Sequence, residues 1–380
     1  MLLWLKCIYQ TIFVKFNLGF YSFFSKKADQ KNLVEYKLKQ RGVSWQQNRK
    51  TKIFAVFSIN NWETVLVDSL HEMGELFHFS WTGGKDFFEN RQEWKKFHDQ
   101  LNKELLVSFN QMYDETSNII IFIYASDFSV NAGTIALLKR PNTILVSFCW
   151  DDLLYFKGKV KGQPIGISQL SKQVDINLTL SPEAIPIYNY YNAACFFWKG
   201  LPIAANHIDV LDEVSNDPFY AVFVGTNYGW RSSFIKELSN KGIAIVCYGA
   251  GWKNGILPDN EMRELIKKAP VTLGFSNVGY TKNITTLKGR VFEVPLSGGL
   301  LLTQNAAGLQ LYFDLEKEIL TYRDIDECYE KLVFISKHPK EAAVIRNAGY
   351  KKAVETATWQ SRFTYLHELI NEVIPIQDKV

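Results

Sequence analysis

Residues 143–150 read TILVSFCW and run directly into Asp151 and Asp152. The stretch is apolar and β-branched almost without a break, so a strand here is covered on both faces, as in a parallel sheet flanked by helices. The same kind of run recurs on either side: Ile53–Ile59, Leu76–Trp81, Ile119–Ala125, Val174–Leu180 and Cys195–Trp198, separated by helix-like stretches. A second series follows at Ala221–Gly225, Ile243–Tyr248, Val271–Phe275, Leu300–Thr303 and Glu318–Tyr322. Between the two lies GLPIAANHIDVLDEVSNDP, Gly200–Pro218, whose Pro, Asn and Asp punctuation reads as a linker. Strand–helix alternation on this scale predicts an α/β chain of two doubly wound, Rossmann-like domains, with ligands outside the carboxyl ends of the strands and the cleft between the halves as the expected site. The expected segments are 1–50, 51–205 and 206–355, with 356–380 forming a helix that returns to the N-terminal domain.

Composition narrows the function classes. A length of 380 residues fits two domains, and 47% hydrophobic with 22% charged residues excludes a disordered or low-complexity chain. The five cysteines form no CxxC pair, so neither a disulfide framework nor a zinc cage is indicated and a cytoplasmic location is expected. The six histidines show no HExxH spacing, and no metal site is expected from them.

Charge is concentrated at one end. Residues 1–50 hold ten Lys or Arg against two acids, Asp29 and Glu35, and are therefore +8, while the remainder is −4. Lys6 and Lys15 interrupt the apolar run of residues 1–25, which disfavours a membrane span, and no small-residue cleavage site suggests a signal peptide. At about 100° per residue Leu5, Tyr9, Ile12, Phe16, Phe20 and Phe23 share one face, with Lys6, Gln10, Thr11, Lys15, Asn17 and Ser22 on the other half. The expectation is an amphipathic helix lying on an anionic membrane through residues 1–25, backed by Lys26, Lys27, Lys31, Lys37, Lys39 and Arg41. Docking of that helix on the protein's own core is the alternative. Nucleic acid is not an expected partner, because the basic residues sit in one arm with no recognised binding fold around them.

Two patterns carry less than they promise. YGAGWKNG, Tyr248–Gly255, has Asn254 where a dinucleotide loop needs its third glycine. Asp324 and Asp326 spell DxD, but Asp324 followed by Glu327 ahead of a helical stretch is a capping box. More informative is GYTKNITTLKGRVFEVPLSGGLLLT, Gly279–Thr303. It brings Lys282, Lys288 and Arg290 to the start of a short helix and Glu293 into its first turn, a combination suited to a diphosphate and to ribose hydroxyls. An ordinary i,i+3 pair between Arg290 and Glu293 is the competing reading.

The run LKGRVFEVPLSGGLLLT, the preceding FVGTNYGWR and GAGW, and the tail from Ile319 through HPKEAAVIRNAGYKKAVETATWQSRFTYL resemble the C-terminal half of the CgeB-like, spore maturation protein type glycosyltransferases, with a group 1-like C-terminal domain. The likeness spans about residues 220–370, in block order. It implies a GT-B architecture: a nucleoside diphosphate sugar held by the C-terminal domain, an acceptor by the N-terminal one, and no metal or other cofactor. Related families carry two glutamates seven residues apart. Glu293 matches the one that touches ribose, whereas Thr285 stands where the other would touch the donor sugar. Arg231 resembles the basic residue that approaches the diphosphate, beside Gly225 and Thr226 of the first loop and Gly249 of GAGW. On the N-terminal side, Asp151 or Asp152 at a strand end could be the general base of an inverting transfer, and Trp81, Trp150 and Tyr155 could stack on a sugar.

The expected function is a metal-independent hexosyltransferase acting on a surface glycan or lipid-linked acceptor, peripheral at the inner face of the cytoplasmic membrane. A nucleotide-sugar epimerase of the same fold, or a silent nucleotide-sugar binder, would share most of these features.

Overall fold

A computed structural model describes residues 2–26, 28–46, 48–59, 63–82, 90–198 and 218–374. The Gly200–Pro218 linker, apart from Pro218, and Lys27 lie outside them. The chain divides into two compact units, Phe16–Trp198 with Phe363–Val380, and Met1–Lys15 with Lys199–Arg362.

Chain order begins with α1 (Leu2–Phe24), whose first fourteen described residues belong to the second unit and the remainder to the first. Helix α2 (Gln30–Gln40) follows, capped by the Asp29 carboxylate, which accepts from Lys31 and Asn32 N–H. The first unit then alternates β1 (Thr51–Val56), α3 (Glu63–Leu70), β2 (Glu75–Phe79), α4 (Arg91–Met112), β3 (Asn118–Ile123), α5 (Ala132–Leu137), β4 (Thr143–Cys149) and α6 (Asp152–Tyr155). A short antiparallel hairpin, β5 (Lys157–Val160) with β6 (Gln163–Gly166), precedes α7 (Leu170–Gln173), β7 (Ile176–Thr179), α8 (Ile185–Tyr190) and β8 (Cys195–Phe197). Six strands form one parallel sheet in the order β2-β1-β3-β4-β7-β8. Every residue of β3, and all of β4 except Cys149, is buried, as their unbroken apolar runs require. The hairpin has no counterpart among the expected strands. Its turn residues Lys161 and Gly162 both have positive φ, at 48° and 83°, and its strands are partly exposed, so the buried-strand pattern could not reveal it.

The second unit runs β9 (Ala221–Val224), α9 (Arg231–Asn240), β10 (Ile245–Tyr248), α10 (Asp259–Lys268), β11 (Val271–Gly274), α11 (Arg290–Leu296), β12 (Leu301–Gln304), β13 (Leu320–Tyr322), α12 (Ile325–Lys337) and α13 (Pro339–Thr356). Its five strands are parallel, in the order β10-β9-β11-β12-β13. The final helix, α14 (Trp359–Val373), begins in this unit and from Phe363 belongs to the other. Within the first unit the Phe363 ring meets those of Phe122 and Trp198 at 6.1 Å.

The first unit buries polar groups with defined partners. Arg41 at the end of α2 pairs with Asp175 at 2.8 Å, and the same carboxylate oxygen accepts from Leu145 N–H. This anchors the N-terminal arm to β4. Asp152, a candidate base from sequence, has 0% exposure and accepts from Tyr188 Oη at 3.0 Å. Burial pushes its carboxyl up to about 7, against the hydrogen bonds from Thr179 and Tyr188 that favour the anion. A carboxyl so enclosed serves the packing of α6 against α8 and reaches no substrate, which corrects its assignment as a base.

The raised value has a stability consequence with a definite sign. Between the ordinary carboxyl range near 4 and about 7, the folded chain keeps a proton that the unfolded chain releases, so stability falls as pH rises through that window and is level above it. Asparagine accepts the Tyr188 hydrogen bond without titrating. The stability of the native chain relative to Asp152→Asn should therefore drop between pH 5 and 7.5, with a limiting slope of about 1.4 kcal/mol per pH unit, and its melting temperature should fall with it. A difference independent of pH would show that Asp152 is not the buried acid described.

Candidate active site

The site of the C-terminal unit is built where β9 stops. A strand that leaves its ladder must find new partners for its carbonyls, and three consecutive ones do so with side chains. Val224 accepts from Arg290 Nε at 2.9 Å, Gly225 from Trp252 Nε1 at 2.9 Å, and Thr226 from Arg231 Nη1 at 2.8 Å. These contacts draw α9, the loop after β10 and α11 to one strand end. Gly249 makes the approach possible. Its φ is 125°, and a Cβ there would lie 2.3 Å from the Gly225 carbonyl oxygen. The Tyr248–Gly255 run closes on itself, Gly249 N–H donating to Gly255 O at 2.6 Å and Asn254 Nδ2 to Cys247 O at 3.0 Å, as suits a structural loop.

Arg290 and Glu293 form an ion pair within the first turn of α11, both half-buried. The pair engages Glu293 Oε2. An ionised carboxylate has about four lone-pair sites, so this pair leaves it acceptor capacity for hydroxyl donors, and the two sequence readings of these residues are compatible. The helix terminus contributes less than its sequence suggests. The N–H groups of Phe292 and Glu293 donate to Gly289 O, and that of Val291 to Lys288 O, so three of the first four amides of this seven-residue helix are used inside its turn. Side-chain cations contribute the larger part of the positive charge here.

Arg231 is 7% exposed. Its guanidinium lies 4.0 Å from the Tyr228 ring centroid and donates to Tyr228 Oη at 3.0 Å. Burial lowers its pKa; the neighbouring tyrosines oppose this and the charge of Arg290 adds to it, which places two guanidinium groups near the end of β9. Arg231 thus braces the Gly225–Tyr228 loop from within. Thr226 is exposed on that loop. Lys288 is half-buried just ahead of α11.

Lys282 and Thr285 sit on a separate hairpin, closed by the Asn277–Thr285 bridge and by Val278 N–H donating to Ile284 O at 2.8 Å. Lys282 is exposed, and its carbonyl accepts from Gln304 Nε2 at 2.8 Å. Thr285 lines a depression of about 470 Å³ with Asn283, Gln304, Asn305, Gln310 and Arg323. That lining is rich in amides, which suits hydroxyl recognition. The motif reading missed it, because Gln304 ends and Asn305 follows an apolar strand that carries no signature of its own. The same hairpin meets α1: Tyr280 N–H donates to Gln10 Oε1 at 2.7 Å, and Lys6 Nζ lies 5.3 Å from the Tyr280 ring centroid. Elsewhere in this unit, the Asp324 carboxylate accepts from Glu327 N–H and caps α12. Among the described residues no group of three or more His, Cys, Asp or Glu is arranged to hold a metal ion.

The N-terminal unit has its own cavity of about 780 Å³ at the carboxyl ends of β1, β3 and β4. Trp81, Trp150 and Tyr155 line it together with Asp151. The neighbours Asp151 and Asp152 are thus separated in environment, one exposed at the cavity and the other sealed inside. The cavity also takes in Glu63, 5% exposed in the first turn of α3. Sequence reading passed over Glu63, although the carboxyl-end rule applied to β1 as it was to β4 points to it.

Residues 231–368 match the family model described as glycosyl transferase-like. No curated protein sequence matches the chain. Among solved structures, a glycosyltransferase from Rickettsia africae superimposes with a TM-score of 0.56 at 8% identity, covering 87% of this chain and 100% of that one. A sucrose-phosphate synthase from Thermosynechococcus elongatus gives 0.57 at 10% identity, covering 85% and 99%. The chain therefore has the two-domain α/β fold of GT-B glycosyltransferases, and the family match falls on the segment that holds Arg231, Arg290 and Glu293.

Proposed function

We propose that this chain is a glycosyltransferase of the CgeB-like, hexosyltransferase type, moving a sugar from a nucleoside diphosphate donor to a surface glycan or lipid-linked acceptor in cell-surface polysaccharide synthesis. Its expected place is the cytoplasm, peripheral at the inner face of the membrane. The observation that carries the reading is the convergence of Arg290, Glu293 and Arg231 on the end of β9, inside the segment that matches the glycosyl transferase-like model.

In the proposed reaction the acceptor hydroxyl oxygen attacks the anomeric carbon as the bond from that carbon to the diphosphate breaks. Charge then accumulates on the leaving diphosphate, and Arg290, Lys288 and Lys282 neutralise it, the interaction that strengthens most at the transition state. Arg231, with its donors directed at Thr226 O and Tyr228, holds the loop that receives the donor. Glu293 accepts the ribose hydroxyls. The attacking hydroxyl's proton passes, in an inverting course, to Asp151, whose place in the aromatic cavity lets Trp81, Trp150 or Tyr155 support a sugar ring. Thr285, in the amide-lined depression, addresses the donor sugar. No metal or other cofactor enters this scheme.

A panel of nucleoside diphosphates and their sugars, screened by thermal shift, identifies the donor because a ligand of the native state raises its stability. Glu293→Ala should then weaken that nucleoside diphosphate by about 1.5–3 kcal/mol, roughly a 10- to 150-fold rise in Kd, with the fold intact. Unchanged affinity in calorimetry removes Glu293 from the donor site. Turnover should also persist in excess EDTA; activity lost on chelation and restored by magnesium or manganese would overturn the metal-independent scheme.

A further inference from the structure

Helix α1 inverts the usual arrangement of an amphipathic helix on a globular protein. Its docked side holds Gln10, which accepts from Tyr280 N–H, the fully buried Val14, and Tyr21, whose ring lies 5.1 Å from that of Tyr190. At about 100° per residue these three lie roughly opposite the apolar stripe. The stripe faces solvent: Leu5 is 49% exposed, Tyr9 68%, Ile12 63%, Phe16 68% and Phe23 80%. Phe20 alone of the six turns inward, packing on Tyr190 at 5.7 Å. Trp4 and Phe24 add exposed rings at the two ends. A row of five exposed apolar side chains, interrupted at Phe20, is far from the scattered single apolar residues of an ordinary surface.

The geometry points to an anionic lipid bilayer as the occupant, with α1 lying in its interface. Charge decides between this and a second copy of the chain. Lys15 on the flank of α1 and Lys26 just beyond its end are exposed, and the surrounding segment is basic in sequence, although Lys31 and Arg41 within it pair with Glu372 and Asp175. Two such faces brought together would oppose like charges, whereas an anionic leaflet attracts them. The residue types agree, since Trp and Tyr favour the headgroup level and Phe the acyl boundary below it. Among the described residues no helix is long and apolar enough to cross a membrane, so α1 is read as lying on the surface. The inference rests on the peripheral location proposed above and names the surface responsible.

The test uses the intact chain with vesicles of phosphatidylglycerol and phosphatidylcholine, and with phosphatidylcholine alone, in co-sedimentation at low and high salt. Binding should favour phosphatidylglycerol and fall with salt without vanishing, because charge is screened over about 10 Å at 0.1 M while apolar insertion is not. Ile12→Asp with Phe16→Asp, both at exposed positions, should reduce binding at least 10-fold and leave the urea unfolding midpoint and donor binding unchanged. Intact chain that stays in the supernatant at low salt overturns the proposal, as does a double variant that binds as well as the native chain. So does a stripe-dependent dimer in ultracentrifugation without vesicle binding. Donor binding, measured on the same samples, can fail or survive independently and so separates failure of this inference from failure of the transferase reading.

Discussion

The three carbonyls at the end of β9 are the constraint on which the C-terminal unit depends. Inside a parallel sheet every backbone group is paired with a neighbouring strand, and helices cover both faces, so chemistry is confined to the places where the ladder stops. β9 lies between β10 and β11, and its terminal carbonyls are taken by Arg290, Trp252 and Arg231 from three different segments. Each donor resolves a local hydrogen-bonding demand and fixes a loop in doing so. Two of the three are cations, so satisfying the backbone and gathering positive charge are here one event. Buried guanidinium groups are costly unless bonded, and the strand end supplies the acceptors that make them tolerable.

This explains which parts of the site were legible in the sequence. The parallel strands could be read because complete burial demands unbroken apolar runs, and Arg290 and Glu293 because their spacing on one helical turn is local. Arg231 was legible as a basic residue after the first strand but not in its orientation, which depends on the tyrosine and phenylalanine rings enclosing it. The amide depression beside Thr285 was not legible at all, since it joins residues from three segments that no period links. The β5–β6 hairpin escaped for a similar reason: exposed strands held by a turn carry little hydrophobic pattern.

Asp151 and Asp152 show the limit most clearly. They are adjacent and chemically identical, and both follow the same buried strand. The chain turns into α6 between them, so successive side chains diverge; one meets the cavity and the other meets Tyr188. In the sealed position desolvation outweighs two hydrogen bonds and raises the carboxyl pKa. A strand-end rule locates a pair of candidate carboxylates, but the turn that follows the strand decides which of them reaches the cavity.

Helix α1 connects the candidate site to its surroundings. Sequence set a membrane helix and a docked helix against each other, yet an α-helix has more than one face and the two roles need not compete. Gln10 and Lys6 meet Tyr280, on the hairpin that also carries Lys282 and Thr285. The hydrogen bond to Tyr280 N–H satisfies a backbone donor where the hairpin turns. It therefore restrains that loop's conformation in addition to holding the helix. Tyr280 in turn packs edge-on against Tyr228, 5.9 Å between centroids, and Tyr228 carries Arg231. A continuous chain of contacts thus runs from α1 through two tyrosines to the end of β9. Because each link is a packed ring or a hydrogen bond with a fixed partner, the seating of α1 and the conformation of the Asn277–Thr285 hairpin are set together.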